Sequence, residues 1–101
     1  MSITANLIND GKELIIYING RFDFSTLQLF RNAYETSKGE PSEYTVDLKG
    51  SDYVDSSALG MLLALRDYAG GDSAKIKITN CNPDIKKIMS VTKLDELFKV
   101  E

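Results

Sequence analysis

The chain has 101 residues, room for one domain built on one modest core. Hydrophobic residues make up 43% and charged residues 27%, and with 7 glycines and 2 prolines the collagen-like and low-complexity classes fall away. Lys plus Arg number 12 and Asp plus Glu 15, so the net charge of -3 argues mildly against unaided nucleic-acid binding; the absence of histidine removes Ser-His-Asp, Cys-His and the usual zinc-hydrolase chemistries.

In chain order, Ile3 to Ile8 alternates as a weak strand, and Asn9-Asp10-Gly11 has turn chemistry. Leu14 to Ile18 is β-branched and apolar on both faces, the pattern of a strand near the centre of a sheet, so the two segments predict a hairpin. That run is far short of the ~20 apolar residues needed to cross a bilayer. Met1 to Leu7 has neither the basic region nor the apolar run of a signal peptide. Both point to a cytoplasmic protein without direct membrane insertion. Asn19-Gly20 ends the strand. Ser25 with Gln28 has capping-box spacing, Phe24 and Leu29 hold the staple positions, and a helix is expected over Thr26 to Thr36. Lys38-Gly39-Glu40-Pro41 stops it.

Tyr44 to Leu48 predicts a strand with one buried face, and Lys49-Gly50-Ser51 a turn. Asp55-Ser56-Ser57 then opens an apolar helix whose stripe is expected at Leu59, Leu62, Leu63 and Ala69, ending at Gly70-Gly71. Ala74 to Thr79 is a strand with Ile76 and Ile78 inward. Asn82-Pro83 is an N-cap and N1 pair, and Ile85, Ile88 and Met89 give the next helix its apolar face. Thr92 with Asp95 repeats the capping-box spacing, with Leu94, Leu97 and Phe98 inward. Lys99-Val100-Glu101 is a last short strand or a tail. Cys81, the sole cysteine, can form no internal disulfide, consistent with a reducing compartment, and reads as a small side chain partly buried after a strand.

The order β-β-α-β-α-β-α predicts a single α/β domain over 1–101: a mixed sheet of four to five strands with helices mainly on one face. The expected core is Leu14, Ile16, Ile18, Leu27, Phe30, Val46, Leu48, Leu59, Leu62, Leu63, Ile76, Ile78, Ile88 and Leu97.

Two loops follow a strand and open a helix: Gly20-Arg21-Phe22-Asp23 and Val54-Asp55-Ser56-Ser57. Neighbouring strands would bring Asp23 and Asp55 together beside a hydroxyl. Three readings stand. Asp55, Ser56 and Ser57 serve only as caps; one serine is a phosphoacceptor at a helix N-terminus, with a partner kinase supplying the chemistry; or the two aspartates hold a divalent metal weakly. Arg21 is a solvated loop residue or pairs with a phosphate or an acidic partner. Phe22 is better taken as a core plug than as an exposed anchor.

Three segments carry a family resemblance. Asn19-Gly20-Arg21-Phe22-Asp23, with Thr26 and Leu27 after it, resembles the Gly-Glu-Leu-Asp segment of STAS domains of the anti-sigma factor antagonist type. Val46-Asp47-Leu48 followed by Val54-Asp55-Ser56-Ser57-Ala58-Leu59-Gly60 resembles the strand and Asp-Ser-Ser-Gly-Leu-Gly signature, and Ser90 to Phe98 the segment around the last helix. The resemblance implies a STAS-like fold and a partner-switching protein. The unphosphorylated form would bind an anti-sigma factor that is also a serine kinase of the GHKL class, freeing a sigma factor or another client. A PP2C-type phosphatase would reverse the phosphorylation. The phosphorylated serine maps to Ser56, with Ser57 the lesser candidate and Asp55 and Asp23 the acidic neighbours. Arg21, Phe22, Ser57 and Ala58 join the surroundings of the phosphosite and the partner surface. Ala58 stands where the family has glycine, and Arg21-Phe22 where it has Glu-Leu. The Arg-Phe-Asp-Phe form resembles antagonists that control motility, biofilm or secretion. On this reading the chain is no enzyme and holds no cofactor or metal. The competing readings are a non-switching STAS subunit of a lipid-transport ABC system and, more remotely, a small enzyme using Asp23 and Asp55 as paired carboxylates.

Overall fold

The computed structural model describes residues 2–36 and 41–101. The N-terminal hairpin joins β1 (Ser2–Ile8) to β2 (Glu13–Phe22). Its turn takes left-handed backbone at Asn9, Asp10 and Gly11, which Asn, Asp and Gly tolerate best. A 3-10 turn (Phe24–Thr26) leads into α1 (Leu27–Glu35), followed by β3 (Glu43–Val54), α2 (Ser56–Tyr68), β4 (Ile76–Thr79), α3 (Pro83–Val91) and β5 (Lys99–Val100). Further 3-10 turns lie at Gly71–Ser73 and Leu94–Glu96. No helix among the described residues is long and apolar enough to cross a membrane.

The five strands lie in the order β1-β2-β3-β4-β5, with β1 antiparallel to β2 and each later pair parallel. Strand–helix–strand units share one hand, so three such steps taken in one direction place their helices on one face. There, Phe30 and Tyr34 of α1, Met61, Leu62 and Leu65 of α2, and Ile85 and Met89 of α3 share one core with Leu14, Ile16, Ile18, Val46, Leu48, Ile76 and Ile78. The expected mixed sheet with one covered face is the observed one, and the last element, open between strand and tail in the sequence, is a strand.

Local chemistry placed several boundaries correctly. Asn82 accepts the Ile85 N–H at 2.8 Å and Pro83 opens α3. Gly70, at φ 118, follows α2. Long-range pairing overrode others. Lys49-Gly50-Ser51 is not a turn: β3 runs through it. Twelve residues of β3 span ten of β2, with register shifts between Tyr17 and Asn19 and between Asn19 and Arg21. Each shift places one extra residue in β3, as a β-bulge does. At Gly50 a Cβ would lie 2.1 Å from Asn19 Oδ1, the end of an exposed side chain, so a larger residue there would displace the Asn19 amide.

The α2 stripe is displaced from the expected one. Ala58, Met61, Leu62 and Leu65 are buried at i, i+3, i+4, i+7 spacing, Leu59 is half-buried, and Leu63 is 39% exposed. Leu97 is likewise 42% exposed, while Leu94 and Phe98 point inward. Leu27 and Ile88 are half-buried against the core. Ser25 does not open α1: it lies inside the 3-10 turn, and Thr26 is the residue before the helix. Asp23 caps the 3-10 turn, Gln28 donates to Asn32, and Phe24 and Leu29 are exposed. Thr92 closes α3 instead of opening a helix, its hydroxyl donating back to Ile88 O. The predicted helix stop at Lys38-Gly39-Glu40 lies outside the described residues.

Candidate functional site

Both loops lie at the carboxyl ends of adjacent parallel strands, where α/β folds gather their sites. Phe22 and Val54 are register partners, so Asp23 and Asp55 each follow by one residue on neighbouring strands. The two bulges bring these ends level, because without them the longer β3 would overrun β2 by two residues.

Asp55 is the N-cap of α2. Its Oδ1 accepts the Ala58 N–H at 3.0 Å and the Ser57 hydroxyl at 2.6 Å. The Ser57 hydroxyl foremost, then the Ala58 amide, hold its pKa below the ordinary 3.8, with the Asp23 charge opposing weakly. Asp23 repeats the device one strand away. Its carboxylate accepts the Ser25 hydroxyl and the Ser25 N–H, with Arg21 Nε at 3.4 Å. The Ser25 hydroxyl leads in lowering its pKa, and the Arg21 contact adds to it. Both aspartates are therefore anionic caps at neutral pH. Arg21 also lies over the Tyr53 ring, 3.6 Å from its centroid, a cation–π contact between register partners.

The two serines differ. Ser57 is half-buried and donates to Asp55. Ser56, the first residue of α2, is exposed, and its hydroxyl has no hydrogen-bond partner among the described residues. Beneath them, Ala58 and Phe22 are both 0% exposed. Phe22 is the core plug, its ring 5.2 Å from that of Phe30. Ala58 sits inside the helix with its methyl group in the core, so alanine fits without strain where glycine was expected. Neither offers side-chain surface to a partner; both support the loops from below.

Sequence reasoning missed the exposed apolar groups beside the site. Phe24, 69% exposed, stands on the turn capped by Asp23. On α2, Leu59, Gly60 and Leu63 follow Ser56 at three, four and seven residues, forming a partly apolar strip headed by the hydroxyl. A mismatch between the 3.6-residue period and the assumed stripe was the available signal. Among the described residues no group of three or more His, Cys, Asp or Glu side chains could hold a metal ion.

The family model described as "Mlab, STAS domain" matches residues 6–100. A STAS-domain containing protein of Pseudomonas aeruginosa (strain UCBPP-PA14) is 52% identical over 100 residues, 99% of each chain. The chain belongs to the STAS domain family. Solved structures share its fold at low identity. An anti-sigma factor antagonist from Mycobacterium paratuberculosis superposes with a TM-score of 0.74 at 19% identity, covering 98% of this chain and 85% of that one. The phosphorylated form of the Bacillus cell fate determinant SpoIIAA gives 0.74 at 15% identity, covering 99% and 91%. The unphosphorylated form of SpoIIAA gives 0.71 at 15% identity, covering 88% and 82%.

Proposed function

We propose that the protein is an anti-sigma factor antagonist, a partner-switching module controlled by phosphorylation of Ser56. The observation that carries the proposal is the contrast between the serines: an exposed Ser56 hydroxyl with no hydrogen-bond partner among the described residues, beside a Ser57 hydroxyl committed to Asp55. In this reading the unphosphorylated chain binds an anti-sigma factor that is also a GHKL-class serine kinase, and a PP2C-type phosphatase restores it. Both act in the cytoplasm, and the output is transcription, motility or biofilm control. The chain is substrate and binding module, not enzyme. Family membership supports the general kind, and the solved phosphorylated and unphosphorylated SpoIIAA structures support a fold that suits both states.

The physical basis is electrostatic. Phosphate adds about -1.5 to -2 charges at pH 7. A helix N-terminus tolerates an anion, but Asp55 already occupies the Ala58 N–H and Asp23 adds a second negative charge nearby. The phosphate is then directed outward, at the head of the strip that Leu59 and Leu63 form on α2. A partner fitted to that apolar strip would have to bury a dianion. A penalty of even ~2.8 kcal/mol is a hundredfold in affinity.

Titration calorimetry of phosphorylated and unphosphorylated protein against the cognate kinase, with mass-spectrometric site mapping, tests this. Ser56→Ala is expected to bind constitutively, and Ser56→Asp and the phosphoprotein at least tenfold more weakly. Equal affinities would defeat the switch, and phosphate found only on Ser57 would defeat the assignment. An unmodified Ser56 with lipid-transport ABC components captured instead would favour the non-switching alternative.

A further inference from the structure

The free edge at β1 is unlike an ordinary protein edge. Among the described residues, the seven of β1, Ser-Ile-Thr-Ala-Asn-Leu-Ile, pair only with β2, which leaves their outer backbone groups unpaired. Natural edges are blunted by charge, proline, bulges or shortness. This one has no charged residue and no proline, its pairing to β2 is continuous over seven pairs, and it is longer than β5 at the opposite edge.

The flank above it is apolar too. The register with Ile18, Ile16 and Leu14 places Ile3, Ala5 and Leu7 on the helix face and Thr4, Asn6 and Ile8 on the open face. Helix α1 lies over β1 and β2. Tyr34 touches Tyr68 of α2, with ring centroids 4.9 Å apart, which turns that flank of α1 toward α2. Leu29 and Ala33 occupy the other flank, on the β1 side, and Leu29 and Leu7 are 48% and 38% exposed.

We propose that β1 is a self-association edge, pairing antiparallel with β1 of a second copy about a two-fold axis at Ala5. The strand is its own complement in that register. Ile3 meets Leu7 on the helix face, Thr4 meets Asn6 on the open face, and Ser2 meets Ile8. Because residues i and 10−i share parity, each face stays on its own side and the two sheets join into one of ten strands. Electrostatics leave a second copy free to approach along this strand. Each chain carries -3, yet the strands meet without a charge on either, so no like-charge pair opposes contact. Seven residues at ~3.4 Å and a strand-plus-helix height of ~20 Å bury roughly 400–500 Å² per copy, below the ~800 Å² per partner of a stable complex, so the dimer is weak and concentration-dependent. In it, β2 and its mate run antiparallel, so the two Ser56 ends point to opposite poles and both stay open.

Sedimentation equilibrium of the intact protein from roughly 5 µM to 1 mM tests the edge in the range expected of a weak interface. The weight-average mass is expected to rise from 11.2 kDa toward twice that value. The T4K/N6K variant opposes Lys to Lys across the axis and is expected to stay monomeric with an unchanged circular dichroism spectrum. Mixing it with T4E/N6E is expected to restore association at least tenfold over either alone, which a misfolded variant could not do. Amide exchange in β1 is expected to slow with concentration in the wild type only. A wild type that stays monomeric throughout, or a T4K/N6K variant that associates as the wild type does, would overturn the proposal. So would association that leaves β1 amides exchanging freely, which would place the contact elsewhere.

Discussion

Asp23 and Asp55 do two jobs with one charge: each closes a helix or turn start and each fixes a serine beside it. Their folded pKa values lie below 3.8 because hydroxyl and amide donors favour the anion. A depressed carboxylate pKa contributes stability that is full above the unfolded value and is lost as pH falls through the folded one. Neither group therefore makes stability depend on pH between about 5 and 8, and the chain has no histidine to do so. Below about pH 4, stability falls as they protonate. Replacing Asp55 by asparagine would keep the cap but not the charge. Thermal melts of Asp55→Asn between about pH 2.5 and 7 are expected to show a shallower acid limb than the wild type; identical limbs would mean that the Ser57 and Ala58 bonds do not form in solution. Cys81 lies apart from this chemistry, because burial pushes its thiol pKa up and keeps it protonated at neutral pH.

At the level of elements, α2 shows where sequence patterns lose resolution. It is apolar on several sides, so Leu59, Leu62 and Leu63 look as good a stripe as Ala58, Met61, Leu62 and Leu65; only packing against the sheet separates them. Leu62→Ala is expected to cost about 2–5 kcal/mol and Leu63→Ala less than ~0.5 kcal/mol in urea denaturation. Comparable losses would put Leu63 back in the buried stripe. Chemistry that is local was legible: the Asn-Asp-Gly turn, the Asn82-Pro83 start and the glycine stop at Gly70. Gly50 was misread because a glycine between two bulges of a long strand looks, in sequence, like one required by a turn. The candidate site was legible in its loops, since each follows a strand and opens a helix. Phe24's exposure and the Arg21–Tyr53 contact were not, because they depend on which strands pair and where the bulges fall.

The molecule as a whole separates its tasks by location. Helices cover one sheet face, the Asp23 and Asp55 loops sit at the carboxyl end, and β1 leaves one edge open. Because Ser56 lies outside the core, modification there is expected to change net charge from -3 to about -5 without altering the fold. Phosphorylated and unphosphorylated protein should give superimposable far-ultraviolet circular dichroism. Their amide exchange should differ only around the Asp23 and Asp55 loops. A change of exchange spread through β4 and α3 would mean that the switch remodels the domain.

The sheet's order of strands is also the order of synthesis. Every strand after the first docks on the one made just before it, so nothing has to be threaded between elements already in place. Contacts therefore close over single strand–helix–strand steps instead of across the whole chain, which limits the loop-closure entropy each parallel pair costs. Growth can proceed on the ribosome one strand at a time, each new arrival covering the edge left by its predecessor. Two edges are never covered by this sequence of events, the first one made and the last, and the first is seven residues long against two.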